Sequence, residues 1–367
     1  MKSAVHVMGM DSSKYGGIER FNIALSKVLW QEGIQSVFIY ESYPECEGFV
    51  DDLKQTGAEL YVSNSRKHPF LFCIDFIKII LKYKPVLVHA HFTKARFYAI
   101  PLAKMLGVKK LFFTIHSSID PISKIKPLTR LWYGAANKMA KVIAVSDQIA
   151  STYKLNWPDA RVKRIYMGVN KPDKNRNKSR KYLEVPDSQL MMLTVANFNH
   201  IKGLDVLVKA LGRLVDQDRL DFNTCLYIIG QPEKDINELK TMIDSLELGH
   251  YIKMVGITNE VALYMASADL YIQPSRSEGL PLALMEAASF SLPLIGSRVG
   301  GIPEIIKEGQ NGFLTPPEDE NLLAETIYEM MQNPNLRIIL GNNSHSIYNE
   351  SFSIGSGVRQ TIDYYHS

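Results

Sequence analysis

The stretch "SEGLPLALMEA", residues 277–287, holds two glutamates, Glu278 and Glu286, with seven mostly apolar residues between them. Two carboxylates around one apolar run raise acid/base chemistry first. Pro274-Ser275 ends a strand-like run, and Pro281 fits the first turn of a helix continuing through Phe290. Glu278 then lies in the loop at the helix mouth and Glu286 about two turns inside. A continuous helix would hold their backbones roughly 12 Å apart at about 1.5 Å per residue. A glycosidase pair needs carboxyls about 5–9.5 Å apart around one bond. The spacing is too wide for that chemistry. It suits one extended ligand with hydroxyls at each end and an anionic middle over the helix N-terminus.

Other reactive residue types follow strand-like runs. In "VANFNHIKGLD" (195–205), Lys202 stands at the start of a helix, where an ammonium and helix N–H groups could together hold a phosphate. In "MDSSKYGGIERF" (10–21), Gly16-Gly17 precede a helix and let backbone approach a ligand, without the G-x-G-x-x-G spacing. His116 ends another run beside Ser117 and Ser118. His89 and His91 share one strand face, and without a Cys, Asp or Glu nearby they read as packing or loop-fixing residues rather than metal ligands. Hexose, diphosphate and ribose in line, a nucleotide sugar, match the spacing of the two glutamates about the helix N-terminus.

These residues need elements to position them. Short runs rich in Val, Ile and Phe at 4–9, 35–40, 85–92, 110–116 and 141–147 alternate with amphipathic segments such as "ERFNIALSKVLWQEG" (19–33). "PFLFCIDFIKIILKY" (69–83) has helical spacing and two charges, and is too short to span a bilayer. After a polar, basic stretch at 171–187 that reads as a linker or a surface excursion, the pattern restarts at 190–198, 223–230, 251–256, 268–275 and 292–301. Alternation of this kind predicts an α/β protein of two doubly wound Rossmann-like domains facing a central cleft, with ligands beyond the carboxyl ends of the strands. The domains divide as 1–170, 171–350 and a terminal segment 351–367.

The 367 residues are 46% hydrophobic and 22% charged, ordinary for a soluble globular protein of two domains. Three scattered cysteines fit neither a disulfide framework nor a zinc site, and point to a reducing, cytoplasmic compartment. Residues 1–170 carry 24 Lys+Arg against 13 Asp+Glu, or +11; the rest carry 18 against 25, or −7, and the sum is the net +4. A basic half joined to an acidic half suits an anionic partner for the first: a phospholipid surface or a phosphorylated acceptor. No aromatic-rich reading motif supports nucleic acid.

Taken together, the chain resembles the GT-B-fold retaining glycosyltransferases, and is similar to those of family 4. The resemblance rests on "GGIERF" (16–21), "KG" (202–203), "PSRSEGLPLALMEA" (274–287), "GGIPEII" (300–306) and "NGFL" (311–314), in the family's order. It implies a nucleotide-diphosphate sugar, UDP or GDP, as substrate, with no bound metal or cofactor. Glu286 would take the ribose and Glu278 the transferred sugar. Backbone of Gly279, Leu280, Pro281 and Leu282 would serve sugar and phosphate oxygens, and Lys202 the diphosphate. Gly17 would approach the phosphates, and His116 would line the sugar or acceptor side. Where the family often has a basic residue, this chain has Asn197, with Arg276 or extra backbone contacts as candidate substitutes, or a donor held less tightly. The acceptor would be a glycan or lipid-linked molecule in bacterial surface polysaccharide synthesis, met at the inner face of the plasma membrane. The helix about "GVRQTIDYY" (357–365) would cross back to the first domain. A nucleotide-sugar epimerase and a non-catalytic nucleotide-sugar-binding protein share this outline.

Overall fold

The computed structural model describes residues 1–12, 16–46, 48–116, 126–232 and 236–367. Ser13, Lys14 and Tyr15 of the glycine turn, Ser117 and Ser118, and Lys124 of the basic run "SKIKPLTRLWYGAANKMAKV" (123–142) lie outside these. Contacts divide the chain into two units, 1–169 with 354–367, and 170–353.

The first unit runs β1 (Lys2–Val7), α1 (Gly17–Gln31), β2 (Ile34–Tyr40), α2 (Phe49–Gln55), β3 (Glu59–Val62), α3 (Pro69–Tyr83), β4 (Leu87–His91), α4 (Thr93–Met105), β5 (Lys110–Ile115), α5 (Pro127–Met139), β6 (Lys141–Ala144), α6 (Asp147–Asn156) and β7 (Val162–Arg164). The second runs α7 (Arg176–Tyr182), β8 (Leu190–Val195), α8 (Leu204–Asp216), β9 (Thr224–Ile229), α9 (Ile236–Ser245), β10 (Ile252–Gly256), α10 (Val261–Ser267), β11 (Leu270–Gln273), α11 (Leu282–Ser289), β12 (Leu294–Ser297), α12 (Ile302–Ile305), β13 (Gly312–Thr315), α13 (Glu320–Gln332) and α14 (Pro334–Ile347). Helix α15 (Ile354–His366) returns to the first unit.

Both sheets are parallel, ordered β3-β2-β1-β4-β5-β6-β7 and β10-β9-β8-β11-β12-β13. Parallel strands buried on both faces read as continuous apolar runs, which is why "TCLYII" of β9 is buried throughout. In each sheet the winding reverses once, between β1 and β4 and between β8 and β11. Loops leaving those neighbouring strands part to opposite faces and open a crevice at their carboxyl ends.

Three sequence expectations need correction. Residues 171–187, expected as a linker or a surface excursion, contain α7, whose Arg180 is 2% exposed and donates to the Ser267, Pro186 and Gln189 carbonyls and to Asp269. This helix packs through a guanidinium rather than an apolar stripe, so periodicity could not show it. Pro281 is the N-cap of α11, at ψ 111°, rather than a residue of its first turn. The divisions fall after Val169 and Ser353 rather than after 170 and 350, where the Ile354 N–H donates to the Val169 carbonyl at 3.2 Å.

In the first unit one sheet face carries His6 beside His89, and His89 beside Phe112. Helices α1 and α15 cover part of this face through Phe21, Leu25, Leu29, Val358, Ile362 and Tyr365.

Candidate functional site

The reversal between β8 and β11 brings together Lys202 and Glu278, 76 residues apart in sequence. Lys202 ends a 3₁₀ turn after β8, and its Nζ donates to Glu278 Oε1 at 2.7 Å. The same oxygen accepts from Ser275 Oγ at 2.9 Å and Gln273 Nε2 at 3.1 Å. The Tyr271 hydroxyl in turn donates to Gln273 Oε1 at 3.0 Å. Tyr271 and Gln273 alternate along β11 and Ser275 follows two residues on, past its end, so that the three form a hydrogen-bonded ladder leading to the carboxylate. Charge-assisted bonds of this kind are short and roughly twice as strong as neutral ones. Glu278 is thereby fixed through one oxygen. Its Oε2 has no hydrogen-bond partner among the described residues.

Backbone approach sets the loop. Gly203 has φ 64°, and a Cβ there would stand 2.0 Å from the Pro274 carbonyl oxygen. Gly300 has φ 56°, and its Cβ would meet the Glu278 carbonyl oxygen at 1.9 Å. Only glycine serves at either position. The Gly301 N–H donates to the Gly279 carbonyl at 2.7 Å, tying "GGIPEII" to the mouth of α11. Gly279 itself has open space where a side chain would be. Gly279, Leu280 and Leu282 supply N–H groups here, whereas Pro281 has none to give.

Glu286 is half-buried within α11. The Tyr271 pKa is raised by burial first, with both Glu278 and Glu286 adding to the rise, so one hydroxyl feels both carboxylates. The sequence pairing of the two glutamates thus has a physical meeting point.

Arg276 is committed elsewhere. Its guanidinium donates to Asp205 at 2.6 and 2.7 Å, to Glu318 through Nε and at 2.8 Å through Nη2, and to the His200 carbonyl at 2.6 Å. These bonds, to Asp205 first and Glu318 second, push its pKa further up. All five donors are engaged, so Arg276 is a clamp on the loop and not a spare cation for a diphosphate. Asn197 is exposed beyond β8.

In the first unit, Gly17 opens α1, and the buried Glu19 accepts from Gly16 N–H at 3.0 Å and from Ser12 Oγ at 2.7 Å. "GGIE" is therefore a capping arrangement as well as a backbone approach. His116, half-buried at the end of β5, stacks on Phe92 at 4.4 Å and its Nε2 lies 3.1 Å from His91 Nδ1. Burial, and then the Arg96 charge, lower its pKa to about 4. It is a neutral imidazole at physiological pH. His6, His89 and His91 bring ligand-type atoms within 4.8 Å of one another, a proximity the sequence missed because His6 arrives from β1. Both His89 nitrogens are already in hydrogen bonds, to Tyr365 at 2.5 Å and Thr114 at 2.7 Å, so packing and bonding account for it without an ion.

Tyr271, Gln273 and Ser275 were legible only as polar residues at spacing two in an otherwise apolar run. Arg96 carried no signal beyond a charge within an apolar helix.

Two Rossmann-like units, with a lysine-bound glutamate at the second switch point and another on the helix behind it, define a glycosyltransferase of GT-B fold. The family model "Glycosyl transferases group 1" matches residues 175–346, and "Glycosyltransferase Family 4" matches residues 15–171. An uncharacterized glycosyltransferase of Methanocaldococcus jannaschii is 30% identical over 73% of this chain and 71% of its own. A putative colanic acid biosynthesis glycosyltransferase of Salmonella typhimurium is 29% identical over 65% of this chain and 60% of its own. The fold of Anabaena HepE, solved in complex with UDP, superposes with a TM-score of 0.82 over 99% of both chains at 20% identity. The chain belongs to the group 1 glycosyltransferases.

Proposed function

We propose that this glycosyltransferase moves a hexose-type sugar, with retention at the anomeric carbon, from a UDP- or GDP-sugar to a glycan or lipid-linked acceptor in bacterial surface polysaccharide synthesis. The carrying observation is the Lys202–Glu278 pair at the switch point, with Glu286 two turns along the adjoining helix. In this reading the diphosphate takes Lys202 and the N–H groups at the mouth of α11. Lys202 then exchanges one anion for another, and Glu278, still held by Gln273 and Ser275, turns to the sugar hydroxyls. As the C–O bond to the leaving phosphate lengthens, positive charge grows on the sugar and negative charge on the diphosphate. The carboxylate opposes the first and the ammonium the second. Glu286 holds the ribose, which does not change during transfer. His116, neutral, offers a hydrogen-bonding edge on the acceptor side.

The UDP bound to HepE, and the UDP-glucose bound to the same protein in a further structure, support a uridine donor. The colanic acid relative supports a polysaccharide product. Because Lys202 and helix N–H groups supply positive potential, the reaction is proposed to run without a bound metal. Measuring hydrolysis and transfer with purified protein against UDP-, GDP- and ADP-sugars tests the reading. Turnover of none, or interconversion of a donor without any acceptor, would overturn it.

The first unit is proposed to sit on an anionic membrane surface. No helix among the described residues is long and apolar enough to cross a membrane. Helix α5, however, presents Leu128 and Leu131, 81% and 72% exposed, beside exposed Lys126, Arg130 and Lys138. Sedimentation with liposomes should require anionic lipid and fade from 0.1 to about 0.5 M salt as screening shortens. Indifference to lipid charge would retire the membrane role.

A further inference from the structure

Two arginines are fully buried among the described residues, Arg96 and Arg180, each 2% exposed. Arg180 is neutralised by Asp269 at 3.3 Å and three carbonyls. Arg96 has no carboxylate partner among the described residues. It gives one hydrogen bond, to the Tyr133 hydroxyl, and lies over the Phe113 and Tyr133 rings at 5.0 and 4.5 Å. Its Nε is buried without a partner, as is that of Arg180, whose two terminal nitrogens are however both engaged. Native proteins pair buried charges because desolvation of a lone one is costly. A buried guanidinium with a donor to spare is a charge waiting for its counter-ion.

Beside the accepting Tyr133 hydroxyl, the described residues around it hold further donors. Arg96 lies in the first turn of α4, whose N-cap Phe92 has φ 59° and gives no side-chain cap, and the first N–H groups of a helix have no partner within the helix. Phe92 stacks on His116, and both are partly open to solvent. The Arg96 charge is felt at His116, after burial the second cause of its lowered pKa. Helix N-terminus, guanidinium and neutral imidazole therefore occupy one end of β4 and β5.

We infer that Arg96 is the receptor for a phosphate group carried by the acceptor. The inference deepens the reading above and rests on the first unit taking the acceptor. A planar fork with a spare N–H, next to an uncapped helix start, fits an oxyanion better than a hydroxyl. The phosphate could come from a lipid headgroup or a soluble sugar phosphate, and the chemistry at Arg96 is the same.

All three tryptophans, Trp30, Trp132 and Trp157, belong to the first unit. Trp132 stacks on Phe97 at 3.8 Å, and Trp157 lies 4.7 Å from the Tyr133 ring that contacts Arg96. Tryptophan fluorescence therefore reports phosphate binding here, separately from Lys202 in the other unit. The full chain is titrated with inorganic phosphate against chloride at constant ionic strength. A saturable change is expected with a midpoint at or below about 10 mM, a weak affinity suited to one charged group. Lys202→Ala should respond like the native chain. Arg96→Lys, keeping charge without the fork, should respond at higher phosphate, and Arg96→Met should shift the midpoint at least about tenfold.

Arg96→Met also replaces an unpaired buried charge by an apolar chain, so its thermal midpoint in phosphate-free buffer should equal or exceed that of the native chain. No saturable response in the native chain overturns the inference, whether or not the variant folds. So does an unaltered response in Arg96→Met. Vesicles of phosphatidic acid in phosphatidylcholine that reproduce the Arg96-dependent change assign a lipid source. A response to inorganic phosphate alone assigns a soluble one. The readout needs no turnover, so a chain that binds phosphate through Arg96 yet transfers no sugar sinks the proposed reaction and leaves the receptor standing.

Discussion

The switch points of the two sheets are built from the same topology and finished in opposite ways. Beyond β8 and β11 each charge is met: Glu278 by Lys202, Gln273 and Ser275, and Arg276 by Asp205 and Glu318. On and just beyond β1 and β4, both nitrogens of His6, His91 Nε2 and Arg96 Nε are buried without partners; in the second unit Thr194 Oγ1, Ser267 Oγ and Arg180 Nε are too, but none of them belongs to the Lys202–Glu278 network. A satisfied network is rigid and holds one geometry, as recognition of an invariant ligand part requires. An unsatisfied one costs stability, and is tolerated where a ligand or a change of protonation completes it. The second unit reads as pre-organised, the first as waiting.

The contrast predicts first that acid should undo the first unit. His6 and His116 titrate at about 3 and about 4, and His89 and His91 well below their ordinary range, each through burial first. In the unfolded chain a histidine takes its proton near about 6.5. The unfolded state therefore holds more protons as pH falls, and stability present above that value is lost on the way down towards about 4. Each histidine contributes up to about 1.4 kcal/mol per pH unit, or on the order of 6 kcal/mol per pH unit for the four together. The second unit has no fully buried histidine among its described residues. Urea melts followed by tryptophan fluorescence should move to much lower urea between pH 7 and pH 5. An unmoved midpoint would break the contrast.

Next in size comes Glu278. Glu278→Ala should cut kcat by about 10²–10³, the loss expected for one preorganised group facing developing charge, while nucleotide affinity stays nearly intact. Glu278→Gln keeps the hydrogen-bonding shape and separates orientation from charge. Steady-state rates beside nucleotide titration calorimetry decide it; a fall in affinity with kcat unchanged would make the carboxylate a mere loop support. Lys202→Ala should weaken UDP or GDP binding by about ten- to a hundredfold, as for one hydrogen bond to a charged group, and native transfer should survive EDTA. Full dependence on added Mn²⁺ or Mg²⁺ would contradict a protein-neutralised diphosphate. The smallest effect belongs to Glu286→Ala: KM up about fivefold to tenfold with kcat held, because ribose contacts are equal in ground and transition states. If the two glutamate variants lose affinity alike, their division of labour is wrong.

Much of this site was legible because its chemistry is local in sequence. Glu278 and Glu286 flank one apolar run, Lys202 follows one strand, and alternating apolar runs give two wound sheets. What escaped depends on contacts between distant segments. Arg276 read as a spare cation because Asp205 and Glu318, its two counter-ions, stand 71 and 42 residues away. β3 and β7 escaped as short edge strands, only partly buried. β13 was noticed as the motif "NGFL" and not as a strand, since four residues carry too little periodicity. The coupling of His6 to His89 is a strand register, which periodicity within either strand does not state.

Helix α15 has a consequence for how the protein is made. The sheet of the first unit is complete once β7 leaves the ribosome, yet part of one face is covered only by Ile354, Val358, Ile362 and Tyr365. About 190 residues, 354 less 164, must be translated between the two events. At about 5–20 residues per second that is roughly 10–40 s, far longer than collapse of a domain-sized chain takes. For that interval the nascent chain shows an apolar strip and the His89 ring without Tyr365. The first half to be synthesised is thus among the last to be finished, and a chaperone that holds such strips has its natural client in this window.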